Sequence, residues 1–154
     1  MDIEETLNTY GDGLYRLCLV MLQSHADAED ALQETLIRYY QKAPVFSDSE
    51  HKKAWLYKVA ANQCRDMLRR RARHPQTDLD TLSIPAPEAA DSGIWEALGQ
   101  LPDMYRLVLT LHYGDGYTVN QIAKIIKRTP SAVKMRLQKG RRLLEAVYRK
   151  EYLE

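Results

Sequence analysis

Basic side chains are concentrated in two segments of this 154-residue chain, and their most direct chemistry is the binding of phosphate groups. Residues 51–74 contain eight Lys or Arg side chains and one acidic side chain, and residues 118–154 contain ten and three. An acidic segment precedes each: residues 1–50 hold three basic and ten acidic side chains, and residues 75–117 hold one and seven. This pattern predicts that the two basic segments contact a polyanion. It also predicts that the acidic segments face a basic surface of a partner. Solvated helix faces are the alternative interpretation.

Aromatic side chains accompany the first basic segment. Trp55 and Tyr57 lie within it, and Tyr39, Tyr40 and Phe46 precede it. Stacking of a base on an aromatic ring contributes about 1–3 kcal/mol, which is comparable to the few kcal/mol needed to take that base out of a duplex. The sequence therefore permits capture of an opened base. The alternative is that these rings only fill a small hydrophobic core.

Patterns typical of catalysis are missing from the sequence. Asp27, Glu29, Asp30 and Glu34 could ligate a divalent cation, but acidic side chains also favour the start of a helix through its dipole. The four histidines and two cysteines do not show the paired spacing of a metal site, and no nucleophile motif occurs. We therefore expect no enzyme activity, no cofactor and no small-molecule substrate.

The apolar residues recur at helical spacing, which predicts an all-α fold of two small helical domains joined by a flexible linker. We place the first domain at residues 1–74, the linker at 75–93 and the second domain at 94–154. The linker contains three prolines among small and polar residues. Its 19 residues span at most about 60 Å when fully extended.

Within the first domain, Ser24 with Asp27 predicts the start of a helix that ends at Ala43-Pro44. A long helix is then expected to begin near Lys52. The residues expected on its inward face are Trp55, Leu56, Val59, Ala60, Cys64, Met67 and Leu68.

Within the second domain, Thr118 with Gln121 predicts a capping box that opens a short helix through Ile126. Thr129-Pro130 then predicts the N-cap and first turn of the next helix. Two such helices joined by about three residues are typical of a helix-turn-helix, whose second helix fits the major groove of DNA.

The sequence gives no indication of export. Its longest apolar run, Leu17–Leu22, is far shorter than the roughly 18–20 residues of a membrane span, and Met1–Glu5 is acidic where a secretory signal is basic. We therefore expect a cytoplasmic protein without membrane insertion. Cys18 and Cys64 are expected to be buried and reduced, because they are far apart in apolar helical contexts.

Two stretches of this sequence resemble the extracytoplasmic-function (ECF) sigma factors, and the resemblance covers almost the whole chain. The first stretch pairs Asp27–Glu34 (DAEDALQE) with Trp55–Asn62 (WLYKVAAN). The second runs from Leu101 to Leu144 and contains Ala132–Leu137 (AVKMRL). The resemblance implies two helical domains, regions 2 and 4, and a protein that binds the bacterial RNA polymerase core and promoter DNA. A separate anti-sigma protein is a further candidate partner.

The resemblance also implies roles for individual residues. In region 2, the residues that would meet the clamp helices of the largest core subunit are Asp27, Glu29, Asp30, Gln33 and Glu34. The loop 45–50 and the helix after it would recognise and open the minus-ten element, through Phe46, Tyr57, Lys58, Asn62, Arg65, Asp66 and Arg69. Asn62 matches a position that lies near a flipped base in relatives. In region 4, the residues that would read or hold the minus-thirty-five element are Ser131, Lys134, Met135, Arg136, Gln138, Lys139, Arg141 and Arg142.

The sequence departs from the family pattern at the turn between the two region 4 helices, where Lys127-Arg128 stand in place of a glycine. A left-handed residue there would cost about 1 kcal/mol, so a different type of turn is expected. Met135 and Gln138 also differ from common family residues, so the promoter sequence does not carry over.

Two other functions remain as alternatives. One is a stand-alone helix-turn-helix regulator whose first half serves as a dimerisation or effector module. The other is a small metal-dependent helical enzyme that uses the acidic cluster.

Overall fold

The computed structural model describes residues 2–42, 44–74 and 92–153. The chain divides into two compact units. The first unit contains α1 (Ile3–Leu22), α2 (His25–Lys42) and α3 (Ser49–Arg73). The second contains α4 (Ser92–Gly99), α5 (Asp103–Leu109), α6 (Val119–Ile126) and α7 (Pro130–Tyr148). Single π-helical turns follow α5 at Thr110–Gly114 and α7 at Arg149–Leu153. No strand occurs in the described ranges, so the predicted all-α fold is confirmed.

In the first unit the three helices pack against one another around an apolar core. The fully buried side chains of α1 include Leu14, Leu17 and Met21, and those of α3 include Leu56 and Ala60. Cys18 and Cys64 are buried and not bonded to each other, as predicted.

The inward face of α3 differs from the prediction by about one residue. Leu56, Tyr57, Ala60, Ala61 and Cys64 are buried, whereas Trp55 and Val59 are half-buried. The helix also begins at Ser49, three residues before Lys52, because the Asp48 carboxylate accepts a hydrogen bond from the His51 backbone N–H at 2.8 Å.

In the second unit, α7 packs against α4, α5 and α6. The predicted capping box is present: Thr118 Oγ1 accepts from the Gln121 N–H at 3.2 Å, and Gln121 Oε1 accepts from the Thr118 N–H at 2.8 Å. Thr129 Oγ1 caps α7 by accepting from the Ala132 N–H at 3.1 Å. The predicted helix-turn-helix therefore forms from α6 and α7, with Val133 and Leu137 of α7 buried.

One expectation about this unit is wrong. The turn between α6 and α7 does contain a left-handed residue, because Lys127 adopts φ 58° and ψ 51°. The N–H groups of Lys127 and Arg128 both donate to the Ala123 carbonyl, which fixes this conformation without glycine. α4 begins at Ser92, two residues before the predicted start of the second domain at 94, and the rest of the predicted linker lies outside the described residues.

None of the helices in the described part of the chain is both long enough and apolar enough to cross a lipid bilayer.

Candidate functional site

The acidic residues of α2 occupy two different environments. Glu29, Asp30 and Gln33 are exposed, while Asp27 and Glu34 are half-buried and paired within the unit. Glu34 Oε2 lies 3.3 Å from Arg38 Nε, and Asp27 Oδ2 lies 2.6 Å from an Arg71 guanidinium nitrogen. Glu29, Asp30 and Gln33 are thus the most accessible of the five predicted core-binding residues.

A half-buried Tyr15 hydroxyl packs beside this acidic start of α2. It lies 2.9 Å from His25 Nδ1. Burial, followed by the negative charge of Glu29, raises the pKa of the Tyr15 phenol. The shift favours the neutral phenol, which is already the form of an ordinary tyrosine at neutral pH.

Three aromatic rings form a cluster between the end of α2 and the start of α3. Phe46 and Trp55 both contact Tyr39, with ring centroids 6.3 and 6.2 Å from it, and Phe46 meets Trp55 edge-on at 5.9 Å. Tyr39 is buried, whereas Phe46 and Trp55 are only half-buried. The partly open faces of these two rings could stack on an unpaired base.

Tyr57, which was predicted to contact the minus-ten element, is buried. Its side chain is 2% exposed and belongs to the core of the first unit. The Lys53 ammonium lies over its ring at 5.9 Å from the centroid, so a base could not stack there without local unfolding. Tyr40, by contrast, is 61% exposed at the end of α2.

The loop before α3 is held by His51, which the sequence did not single out. His51 Nδ1 accepts a hydrogen bond from the Ser47 backbone N–H at 3.1 Å. The same ring meets Phe46 edge-on, with centroids 5.2 Å apart. His51 thereby ties the predicted minus-ten loop to the first turn of α3.

The aromatic cluster is also held by contacts of Asp2, which the sequence pattern does not predict because the residues involved are far apart in the chain. Asp2 Oδ1 accepts a hydrogen bond from the Tyr39 hydroxyl at 2.8 Å, and Asp2 Oδ2 lies 3.4 Å from Lys52 Nζ. The Tyr39 hydrogen bond is the main cause that lowers the pKa of Asp2, with Lys52 assisting. Desolvation disfavours the Lys52 ammonium, but Tyr39 and Asp2 outweigh it and raise the pKa of Lys52 above its ordinary value.

The predicted DNA-contacting residues of α3 lie at helical spacing along one side. Lys58, Asn62 and Arg65 are half-buried and Arg69 is exposed. Arg65 donates to Asn62 Oδ1 at 2.8 Å, which orients the Asn62 amide. Arg69 pairs with Asp66 at 2.8 Å.

A groove separates α2 from α3 beside this basic face. Its lining is mostly charged, with guanidinium groups from both helices and two carboxylates. The residues that line it are Glu34, Arg38, Gln63, Asp66, Arg69, Arg70 and Arg73. The groove therefore continues the positive surface of α3 toward the acidic helix.

The first turns of α7 present polar and basic side chains to solvent. The exposed residues of the predicted set are Ser131, Lys134, Met135, Gln138, Lys139, Arg141 and Arg142, and Arg136 is half-buried. Met135 is 68% exposed. All eight predicted residues thus lie on one helix.

Two tyrosines of the second unit support cations on α7, and neither was identified from the sequence. The Tyr113 hydroxyl accepts a hydrogen bond from Arg141 at 3.0 Å. Lys139 Nζ lies over the Tyr105 ring, 5.9 Å from its centroid. These contacts orient two of the predicted phosphate-binding groups.

No group of three or more His, Cys, Asp or Glu side chains in the described ranges is arranged to hold a metal ion. The described arrangement offers binding surfaces: an acidic helix face, a partly open aromatic cluster with a basic helix, and a helix-turn-helix.

Comparison with known proteins gives matches for both units. The family model described as Sigma-70 region 2 matches residues 7–74, and that described as Sigma-70, region 4 matches residues 92–144. The chain is 33% identical to the ECF RNA polymerase sigma factor SigL of Mycobacterium tuberculosis, over 85% of this chain and 80% of the relative. It is 28% identical to the ECF RNA polymerase sigma factor SigW of Bacillus subtilis, over 91% of this chain and 85% of the relative.

A solved structure has the same fold. The sigma factor RpoE of Bartonella quintana, crystallised in complex with the anti-sigma factor NepR, aligns with a TM-score of 0.82 at 21% sequence identity. The alignment covers 97% of this chain and 98% of that one.

Proposed function

Because the chain belongs to the ECF sigma factors of the sigma-70 family, which direct promoter-specific transcription initiation, we propose that it binds bacterial RNA polymerase core and recognises promoters through two DNA elements. Region 2 contacts the core and opens the minus-ten element, and region 4 reads the minus-thirty-five element. The observation that carries this proposal is the exposure of two surfaces, one suited to the core and one suited to DNA. They contain Asp30 and Gln33 on α2, and Lys134, Gln138 and Arg142 on α7.

The core contact rests on α2. Asp30 and Glu34 lie four residues apart and Gln33 lies between them, so the three side chains project from one side of the helix. Carboxylates on this side attract a basic surface of the largest core subunit and guide its association. The protein acts where the polymerase is, in the cytoplasm.

Opening of the minus-ten element rests on the aromatic cluster and on α3. An unstacked base would be held between the partly open rings of Phe46 and Trp55 and the amide of Asn62. Lys58, Arg65 and Arg69 would hold the phosphates of the strand. Tyr57 is left out of this surface because it is buried.

Reading of the minus-thirty-five element rests on the start of α7. Side chains in the first turns of a recognition helix reach base edges, so Ser131, Lys134, Met135 and Gln138 are the candidates for sequence readout. The remaining cations take phosphates: Arg136, Lys139, Arg141 and Arg142. Each phosphate contact should add about 0.9 to the salt slope of promoter binding.

A separate anti-sigma protein is a further proposed partner. The related protein of Bartonella quintana is described in complex with such a protein. An anti-sigma protein would prevent core binding by covering region 2, region 4 or both.

Run-off transcription with purified core on a pooled genomic promoter library tests the proposal. We expect new start sites that share two upstream motifs. The double variant Asp30→Lys with Glu34→Lys should lose these transcripts and weaken core affinity by about tenfold or more. Glu4→Lys with Glu5→Lys is the matched control, because these are exposed acidic residues of α1.

Asn62→Ala separates opening from binding. It should reduce permanganate reactivity of the minus-ten thymines more than it reduces closed-complex formation. Equal reduction of both would contradict the role given to Asn62. A palindromic footprint without polymerase, together with no affinity for core, would instead favour the stand-alone regulator.

A further inference from the structure

Arg71 belongs to the basic segment at the end of α3, but its side chain turns toward α1 and α2. One guanidinium nitrogen donates to the Leu22 carbonyl oxygen at 3.0 Å, and the other donates to Asp27 Oδ2 at 2.6 Å. Its neighbours Arg70 and Arg73 are exposed. A single side chain thus joins the last turn of α3, the end of α1 and the first turn of α2.

The two acceptors of Arg71 lie on either side of a sharp helix-helix turn. Leu22 is the last residue of α1, where carbonyl groups lack partners within the helix and favour a cation. Gln23 follows in the left-handed conformation at φ 54°, and Ser24 Oγ then accepts from the Asp27 N–H at 3.2 Å. Arg71 therefore bridges the turn from the side, and this fixes the direction in which α2 leaves α1.

The same contact engages the Asp27 carboxylate within the unit. Its carboxylate is already bonded to a guanidinium, and its side chain is 35% exposed. Asp30 and Glu34 follow Asp27 by three and seven residues on the same side of α2, so a shift of the first turn moves both.

We infer that Arg71 is a positioning residue for the polymerase-binding face of α2, and that Asp27 acts through Arg71 and makes no direct contact with core. The inference rests on the proposed function. It assigns to a residue of the basic segment a role in core binding, where charge alone would suggest a phosphate contact.

Salt dependence and affinity for core distinguish these two roles of Arg71. Loss of a phosphate contact lowers the salt slope of promoter binding by about 0.9 and leaves core affinity unchanged. Loss of a positioning contact lowers core affinity and leaves the salt slope of holoenzyme binding to the promoter unchanged.

The experiment compares Arg71→Gln with Arg73→Gln in the full chain. Affinity for purified core is measured by biolayer interferometry, and promoter binding of the reconstituted holoenzyme is measured at several salt concentrations. Arg71→Gln should weaken core binding about fivefold to tenfold with an unchanged salt slope. Arg73→Gln should leave core affinity within about twofold. Arg71→Lys should recover part of the loss, because an ammonium can reach one acceptor but does not reproduce the forked geometry.

A double-mutant cycle tests the role of Asp27. If Asp27 acts through Arg71, Asp27→Asn weakens core binding in the wild-type background and adds nothing in the Arg71→Gln background. If Asp27 meets the core directly, the two losses add and the inference is wrong. If Arg71→Gln melts early by circular dichroism, the cycle is measured at a temperature at which all four proteins remain folded.

Two results would overturn the inference about Arg71 itself. One is wild-type affinity for core in Arg71→Gln, and the other is a salt slope reduced by about 0.9 in that variant. Failure of the proposed function would be distinct, because the wild-type protein would then show no affinity for core.

Discussion

Two turns between helices, one from α1 to α2 and one from α6 to α7, have nearly the same backbone conformation. They are stabilised by different contacts. Gln23 adopts φ 54° and ψ 38°, and Lys127 adopts φ 58° and ψ 51°. Each is followed by a Ser or Thr N-cap of the next helix. The first turn is bridged from α3 by Arg71, while the second turn is held by local contacts: Lys127 and Arg128 bond the Ala123 carbonyl, and Thr129 caps α7.

The two units repeat this difference on a larger scale. In the first unit, polar contacts connect residues far apart in the chain, such as Asp2 with Tyr39 and Lys52, and Asp27 with Arg71. In the second unit, the contacts of Arg141 with Tyr113 and of Gln100 with Glu151 also connect distant residues, but they are exposed, and buried apolar side chains such as Val133 and Leu137 position α7. The first unit thus uses part-buried charged contacts to hold its shape, whereas α7 presents most of its cations outward.

The largest expected effect tests the packing of the second unit. Gly140 lies on the buried side of α7, and a Cβ atom there would lie 3.2 Å from a Leu109 methyl and 3.5 Å from Tyr105 Cβ. Leu109 is itself buried and has little room to move. Gly140→Val should therefore lower the free energy of unfolding of the second unit by about 2 kcal/mol. Urea unfolding followed by Trp95 fluorescence in a Trp55→Phe background measures this.

Gly11 is the contrasting helical glycine in the first unit. A Cβ atom at Gly11 would meet only the end of the Leu7 side chain, which is 40% exposed and can turn away. Gly11→Ala should stabilise α1 by about 0.5–1 kcal/mol through helix propensity. Equal destabilisation by Gly140→Val and Gly11→Ala would contradict the difference in packing between the units.

The sequence was sufficient for features that depend on neighbouring residues. The helix-turn-helix, the capping box at Thr118 and the cap at Thr129 follow from side chains within three residues of the backbone groups they bond. Long-range contacts could not be predicted in this way. Nothing near Arg71 in the sequence indicates that it bonds Asp27, 44 residues away, and nothing near Asp2 indicates Tyr39.

The burial of Tyr57 and the left-handed conformation of Lys127 also have physical causes that the sequence pattern does not show. Periodicity alone did not fix the rotation of α3, and the pair of small residues Ala60 and Ala61 belongs to a buried stripe that includes Tyr57. Because Lys127 stands where family members have glycine, a different type of turn was expected. Two hydrogen bonds to the Ala123 carbonyl instead hold Lys127 in the left-handed conformation. The predicted contacts with polymerase and DNA stay predictions.

An intermediate effect is expected from glycine at the two left-handed positions. Lys127→Gly should stabilise the second unit by about 0.5–1 kcal/mol, because glycine has no Cβ penalty at positive φ. Gln23→Gly should stabilise the first unit less, because Gln23 is half-buried and loses side-chain contacts, whereas Lys127 is exposed. Thermal unfolding followed by fluorescence in Trp55→Phe and Trp95→Phe backgrounds, each with a single tryptophan, separates the two units. A loss of stability in Lys127→Gly would mean that the lysine side chain supports the turn.

The smallest expected effect concerns pH and the anchor at Asp2. The Tyr39 hydrogen bond and Lys52 lower the pKa of Asp2 in the folded state, so this contribution is present above the unfolded pKa of about 3.9. It is lost as the pH falls through the lower folded value. Asp2→Asn should therefore lower the melting temperature of the first unit at neutral pH, and its difference from wild type should shrink below about pH 4.

Asp12→Asn provides the control for this anchor, because Asp12 is an exposed carboxylate of α1. It should leave the melting temperature unchanged at neutral pH. Since Asp2 holds Tyr39, and Tyr39 packs on Phe46 and Trp55, Asp2→Asn should also loosen the loop before α3. Faster amide exchange at Phe46 and Ser47 in Asp2→Asn, with unchanged exchange in α7, would show that this long-range contact supports the minus-ten surface. Unchanged exchange at Phe46 and Ser47 would mean that the effect of Asp2 is confined to the start of α1.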